Sequence, residues 1–228
     1  MSAVANFLAF RSREQPTQRR SLYPRPLDFP SFEVRLLTLL PPDGGNENDD
    51  GSIHCTLKYD FLIERNAYTG DTLPISEYVA LSYCWGDPFV RRLIFVNNIP
   101  VEVTTNLEAA LRALRDMKIE VLWIDALCIN QEDLLERGLQ VMRMGLIYSN
   151  AVKVLAWIGE KDYYSERAMN YLHVEARAQA QGGLGKNIHI SEYHAESVSA
   201  LLRRPYWKRV WVIQEISKGR EVHVVCGS

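Results

Sequence analysis

The sequence predicts an α/β domain built on a largely parallel β-sheet flanked by helices. Three observations carry that expectation. From Glu77 onward, short runs of strand length take turns with longer stretches of helical periodicity, the signature of strands joined by helical crossovers. Val121–Ile124 (VLWI) is a continuous apolar run, too short for a helix and rich in β-branched and aromatic residues, as expected of a strand buried on both faces. That run breaks at once into a polar loop holding Asp125, Cys128, Asn130 and Gln131, and in open α/β sheets ligands bind beyond the carboxyl ends of the strands.

In chain order, residues 1–30 hold several prolines and no periodic pattern, and read as a disordered arm preceding a domain at 31–228. The Arg-rich stretch from Arg11 to Arg25 also suits an organellar transit segment, but a solvated arm is the simpler reading. Phe32–Leu40 and Ile53–Leu62 read as two extra N-terminal strands around an acidic, turn-rich loop, Pro41–Gly51. Glu77–Tyr83 is a third strand. Leu93–Val96 and Pro100–Val103 flank Asn97-Asn98, a hairpin turn signal, and form an insertion. Thr105 opens a helix, with Glu108 as its capping-box partner and Leu107, Leu111 and Leu114 as its buried stripe.

After the central strand a helix is expected from about Asp133 to Tyr148, burying Leu135, Leu139, Met142 and Leu146. Gly138 and Gly145 share a face of it, open to close approach by another backbone. Ala151–Ile158 is the next strand, and Tyr163–Ala180 and Glu192–Leu202 are helices around a glycine-rich surface loop at Gln181–Asn187. Pro205 starts a last helix that ends at Gly219, buried nearly all round by Trp207, Val210, Trp211, Val212, Ile213 and Ile216. Glu221–Cys226 is a final strand. The chain stops directly after it, which reads as part of a longer protein.

Composition narrows the function. In 228 residues, 47% hydrophobic and 24% charged, a formal net charge of -2 gives no general attraction to nucleic acid or anionic membrane. No apolar run approaches the ~20 residues of a membrane span. The four cysteines are dispersed, with no C-x-x-C pair, and the five histidines form no ligand pattern. Neither a zinc site nor a disulfide framework is expected, and the setting reads as reducing and cytoplasmic. No phosphate loop is present: Gly185-Lys186 lacks the spacing and the following hydroxyl.

Two places could carry chemistry. In the last helix, Trp207, Trp211 and Glu215 are four apart and stack on one face. A carboxylate among indoles must be paired, protonated or facing a cleft, because an unpaired buried charge costs several kcal/mol. Its partner would be Arg209, Arg137 or Arg143; alternatively it lines a pocket with aromatic walls. In the loop after the central strand, Asp125, Asn130 and Gln131 either cap the next helix or line a crevice. Cys84 and Cys128 read as packing residues, and Trp85 and Trp157 as core or ligand platforms.

The motifs Y-V-A-L-S-Y-C-W-G-D at 78–87, L-W-I-D-A-L-C-I-N-Q-E-D at 122–133 with Glu136-Arg137 and Gln140, I-Y-S-N-A at 147–151, W-I-G at 157–159 and R-P-Y-W-K-R-V-W-V-I-Q-E at 204–215 closely resemble the HET domain, the heterokaryon incompatibility domain of filamentous fungi. The resemblance covers most of residues 33–228. It implies a trigger of regulated cell death after non-self recognition, joined to a sensor or oligomerising region. That family is similar, more distantly, to TIR domains, which implies a TIR-like, flavodoxin-like sheet. Ala80–Tyr83, Trp123–Asp125 and Val152–Ile158 then match the first three TIR strands, and Ala126–Glu132 a mobile loop. Trp211-x-x-x-Glu215 resembles the Trp and catalytic Glu of NAD-cleaving TIR domains. The hairpin near Asn97 and roughly forty extra residues between Gly159 and Pro205 depart from the TIR pattern.

On that resemblance Glu215 is the catalytic residue, and Ser82, Trp85, Asp125, Asn130 and Trp211 bind substrate. NAD is a possible substrate rather than a cofactor, no metal is needed, self-association drives activation, and an upstream sensor or incompatibility partner protein is implied. The alternative is a non-enzymatic death-signalling module assembling through the Gly138/Gly145 face and the Ala126–Glu132 loop.

Overall fold

A computed structural model of the chain describes residues 21–42, 51–62, 76–180 and 190–227. The expectations for residues 1–20, most of the acidic loop and the glycine-rich loop fall outside them. The strands are β1 Glu33–Leu39, β2 His54–Phe61, β3 Val79–Tyr83, β4 Arg91–Val96, β5 Ile99–Thr104, β6 Val121–Trp123, β7 Lys153–Trp157 and β8 Val222–Val225. The helices are α1 Thr105–Asp116, α2 Asp125–Cys128, α3 Leu134–Asn150, α4 Tyr163–Ala180, α5 Glu192–Leu202 and α6 Val212–Lys218, with a 3-10 turn at Pro205–Lys208.

Among the described residues these strands form one sheet in the order β5-β4-β2-β1-β6-β3-β7-β8. The α/β class holds, but the sheet is mixed rather than largely parallel. β6, β3, β7 and β8 run parallel, because helical crossovers separate them in sequence. β1 is antiparallel to both β2 and β6. The hairpin of β4 and β5 extends the sheet beyond β2. Its turn is built as Asn97-Asn98 demands, with φ of 53° and 61°, the left-handed pair of a type I′ turn. The Asn97 carboxamide also accepts the Leu57 N–H at 3.0 Å, tying the turn to β2.

Every residue of β3 is buried, so helices cover both of its faces. Leu107, Ala110, Leu111 and Leu114 of α1 join the main core with Leu155 and Trp157. Ala156 and Ile158 instead pack with Ala168, Leu201, Tyr206 and Val212 in a second cluster under α4, α5 and α6.

Five local expectations are corrected. The cap of α1 is Thr104, whose hydroxyl accepts the Leu107 N–H, while Glu108 pairs with Arg112 four residues on. On α3 the buried residues are Glu136, Gln140, Met144, Ile147 and Tyr148, and Leu135 and Met142 are exposed. Leucine periodicity misplaced that face because a buried arginine on β1 makes a glutamate its best occupant. Gly145 faces the protein's own α6: a Cβ there would lie 3.1 Å from the Gln214 amide. It serves an internal approach, and a Cβ at Gly138 would meet nothing. The last helix is split, because the chain straightens at Arg209 (φ -79°, ψ 130°) between the 3-10 turn and α6. Trp207 therefore does not stack on one helix face with Trp211 and Glu215. Nor is this segment buried all round, since Val210 before α6 and Ile213 within it are exposed.

The fifth correction concerns the N-terminal arm, which the sequence extends too far. Leu27 is buried, and the Tyr23 hydroxyl reaches the carbonyls of Leu127 (3.1 Å) and Ile129 (3.2 Å). Residues 21–30 thus strap the segment after β6. That segment is not an open loop: it starts as the single turn α2 and is held by Arg35 on the Cys128 carbonyl, 3.2 Å. Tyr23→Phe keeps the ring over the Arg35 guanidinium and removes both hydroxyl contacts. We expect a loss of about 1 kcal/mol and faster amide exchange confined to residues 125–131, read by hydrogen-exchange mass spectrometry; unchanged exchange there would refute the strap.

Candidate functional site

The carboxyl ends of β3 and β6 open into a cleft of about 480 Å³, lined by Cys84, Trp85, Gly86, Asp125, Ile129, Gln131, Arg137, Val141, Met144, Arg209, Trp211 and Glu215. Local chemistry fixes each wall. After β3 the chain turns at Gly86, whose φ of 80° suits glycine, and a Cβ there would sit 3.2 Å from the Asn106 side chain. Asn106 holds this turn by donating to the Cys84 carbonyl at 2.5 Å, and Trp157 Nε1 donates to Asn106 at 2.9 Å. After β6, Asp125 accepts Trp85 Nε1 at 3.0 Å and the Ala126 N–H at 2.7 Å. Gln131 donates to the Asp125 carbonyl at 2.7 Å. The two strand ends are thereby laced together. On α3, Arg137, Val141 and Met144 fall at i, i+4 and i+7 and form the third wall.

Glu215 enters from α6. It is 1% exposed and clamped bidentately by Arg209, at 3.0 and 3.1 Å. Of the three arginines expected as partners, Arg209 is the one. Arg143 lies on the faces of Phe29 and Phe32, and Arg137 stands at the cleft. Ser82 Oγ bonds Glu215, and Tyr206 Oη lies 2.7 Å from Ser82 Oγ. A carboxylate only accepts, so Ser82 donates to Glu215 and Tyr206 donates to Ser82. Burial pushes the Tyr206 phenol up to about 12, which keeps it protonated as that donor. Burial also opposes the Arg209 charge, but the Glu215 carboxylate wins and raises its pKa.

Burial raises the Asp125 carboxyl above the ordinary carboxylate range; the Trp85 and Ala126 donors pull it back, Glu215 pushes it up and Arg209 draws it down. A carboxyl raised on folding holds its proton more tightly in the native chain, so its contribution to stability falls as pH rises through the window above the unfolded value. Asp125→Asn cannot ionise. The stability of this variant relative to wild type should therefore improve as pH rises from below about 3.9 toward neutrality, measured by urea unfolding. A difference that stays flat with pH would refute the raised carboxyl.

Four of the six residues expected from sequence, Trp85, Asp125, Trp211 and Glu215, line this one cleft. Ser82 is wholly buried and touches the cleft only through Glu215. Asn130 does not line it: its side chain accepts the Glu132 N–H at 3.2 Å, the local turn role open to an Asn. Its neighbour Gln131 lines the cleft instead. Sequence reasoning offered Arg137 only as an ion-pair partner for Glu215 and did not place Met144 or Tyr206 at the site. Arg137 and Tyr206 lie within the quoted motifs, but nothing in their spacing marks them. Cys128 is a packing residue: its sulfur accepts the Ile124 N–H at 3.4 Å and burial lifts its thiol to about 12. Among the described residues no group of His, Cys, Asp or Glu is placed to hold a metal ion, and no helix is long and apolar enough to cross a membrane.

Comparison with known proteins places the chain by sequence. No solved structure matches the chain. Heterokaryon incompatibility protein 6, OR allele, of Neurospora crassa is 30% identical over 248 aligned positions, which take in 88% of this chain and 34% of that protein. The chain thus spans about a third of its relative's length. The family model for heterokaryon incompatibility protein (HET) matches residues 78–215, from just before β3 to Glu215, the stretch that supplies every wall of the cleft. Since that match takes in more than half of the sequence, the chain belongs to the heterokaryon incompatibility (HET) family.

Proposed function

We propose that this chain is a death-triggering module of fungal heterokaryon incompatibility, and that its cleft cleaves the nicotinamide–ribose bond of NAD. The observation that carries the reading is that Glu215 and Asp125 line one open cleft together with two half-exposed indoles, Trp85 and Trp211. The order of the parallel strands supports the TIR-like comparison. Taken in chain order they lie second, first, third, fourth, as in flavodoxin-like doubly wound sheets. On this reading the module acts in the cytoplasm, and self-association or an upstream sensor turns it on.

Bond cleavage builds positive charge on the ribose carbon, as in glycoside hydrolysis. Glu215 faces that charge. Nicotinamide leaves with the electron pair of the bond and becomes neutral; water adds to the ribose carbon and gives up a proton to solvent. Asp125 hydrogen-bonds a ribose hydroxyl, and Trp85 and Trp211 stack on the rings. The substrate's hydroxyls must compete with Arg209 for Glu215, because the clamp occupies both carboxylate oxygens.

That clamp also favours a second reading, a non-enzymatic module in which Glu215 and Arg209 hold α6 onto β3. The two are separated by measuring nicotinamide release from NAD, and killing in cells, by wild type and by Glu215→Gln. Loss of both in the variant supports the enzyme. Equal rates, or killing without any release, leaves the scaffold.

A further inference from the structure

The charged groups lining the cleft do not balance in place. Glu215 is neutralised by the Arg209 clamp. Asp125 is held by Trp85 and Ala126, and burial favours its neutral form. Arg137 is exposed and makes no side-chain hydrogen bond or ion pair among the described residues. Its placement is unfavourable on local grounds. Arg137 sits in the first turns of α3, its own N–H on the Asp133 carbonyl at 2.9 Å, where the helix dipole disfavours a cation. Asp133, the nearest acid on the helix, directs its carboxylate to the N–H groups of Leu135 and Glu136. The preceding Glu136 is taken by Arg35. An exposed guanidinium with no acidic partner among the described residues therefore stands at the wall of a cleft that also presents two indole rings.

We propose that Arg137 is the anion anchor of the cleft, holding a phosphate of a ligand whose rings lie on Trp85 or Trp211. This deepens the NAD reading and rests on it for the choice of ligand: the site selects a heteroaromatic ring joined to phosphate over the same ring without one. A guanidinium suits that task because its planar fork meets two phosphate oxygens at once. Arg137 here is a specificity residue and takes no part in bond breaking.

The test uses ADP-ribose and adenosine as probes, titrated into wild type, Arg137→Ala and Arg137→Lys, with binding followed by tryptophan fluorescence and calorimetry. ADP-ribose carries no nicotinamide, so the measurement is independent of catalysis. In wild type, ADP-ribose should bind at least about tenfold more tightly than adenosine, with an advantage that shrinks as salt rises. In Arg137→Ala that ratio should collapse to within about twofold while the adenosine affinity stays put; Arg137→Lys should recover part of it, since it restores the charge without the fork. Because the side chain is exposed, unpartnered and unfavourably placed on the helix dipole, the melting temperature should not fall. A ratio unchanged in Arg137→Ala, or absent in wild type, overturns the anchor. If NAD is never cleaved yet the ratio follows Arg137, the anchor stands and the catalytic reading falls. If NAD is cleaved and the ratio ignores Arg137, only the anchor falls.

Discussion

Glu215→Gln is expected to lower nicotinamide release by about a thousandfold while leaving the domain folded. The magnitude follows from electrostatics. Once substrate hydroxyls have displaced Arg209 from it, a carboxylate about 4 Å from a developing unit charge, at an effective dielectric near 20, contributes at most about 4 kcal/mol, and each 1.36 kcal/mol is a factor of ten in rate. The amide is nearly isosteric, and the surrounding network can accept it. Its oxygen keeps one Arg209 bond. Its NH₂ can face Ser82 if the hydroxyl chain reverses, with Ser82 accepting from the amide and donating to Tyr206. The Arg209 charge loses its counterion, but that side chain is 18% exposed and can draw on water, so a cost of about 1–3 kcal/mol is expected. Chemical denaturation of the variant checks the fold, and single-turnover nicotinamide release checks the rate. A loss of activity that merely tracks loss of folded protein would remove the catalytic assignment. So would Glu215→Asp behaving identically to Glu215→Gln, since a shorter carboxylate still carries the charge.

The largest effect on stability is expected at the pair Arg35 and Glu136. Both side chains are buried, at 1% and 2% exposed, with oxygen–nitrogen distances of 2.6 and 3.0 Å. The pair is also a hub. Glu136 accepts the Asn130 N–H at 2.7 Å, while Arg35 donates to the carbonyls of Cys128 (3.2 Å) and Arg25 (3.2 Å). The rings of Tyr23 and Tyr59 lie over its guanidinium. One interaction thus binds the N-terminal strap, β1, α2 and α3, and so sets the wall that carries Asp125, Gln131 and Arg137. Removing a single partner from a buried pair leaves a charge uncompensated and costs about 3–5 kcal/mol. We expect Glu136→Leu or Arg35→Met to lose that much in urea unfolding, with a fall in Tm of about 10 °C or more for a domain of this size. The double variant should regain much of the loss, because well-packed apolar side chains can replace a buried pair at little net cost. Single variants within 1 kcal/mol of wild type would show that water or rearrangement relieves the charge.

Several elements were legible because their signals are local. β1, β2, β3 and β7 are short apolar or alternating runs, of strand length and rich in β-branched or aromatic residues. The Asn97-Asn98 turn follows from the tolerance of Asn for positive φ. The place of the site was legible for a related reason: a buried strand that ends in Asp125 delivers its polar residues to one end of a sheet. Boundaries that depend on competing local partners were less secure. Thr104 and Thr105 are both good caps, and only the trajectory out of β5 selects the first.

The sequence by itself determined the α/β class, most strand and turn segments, the family, and the position of Asp125 at a strand end; that Trp85, Trp211 and Glu215 meet it in one cleft came from the fold. Tertiary structure alone decided that β1 is antiparallel to β6, that Arg35 meets Glu136 across 101 positions, that Gln131 rather than Asn130 faces the cleft, and that Arg209 folds back onto Glu215. The division has one physical cause. Apolar periodicity and backbone preference act between near neighbours along the chain. The partner of a buried charge is chosen by whichever distant segment brings the opposite charge into the same dry space.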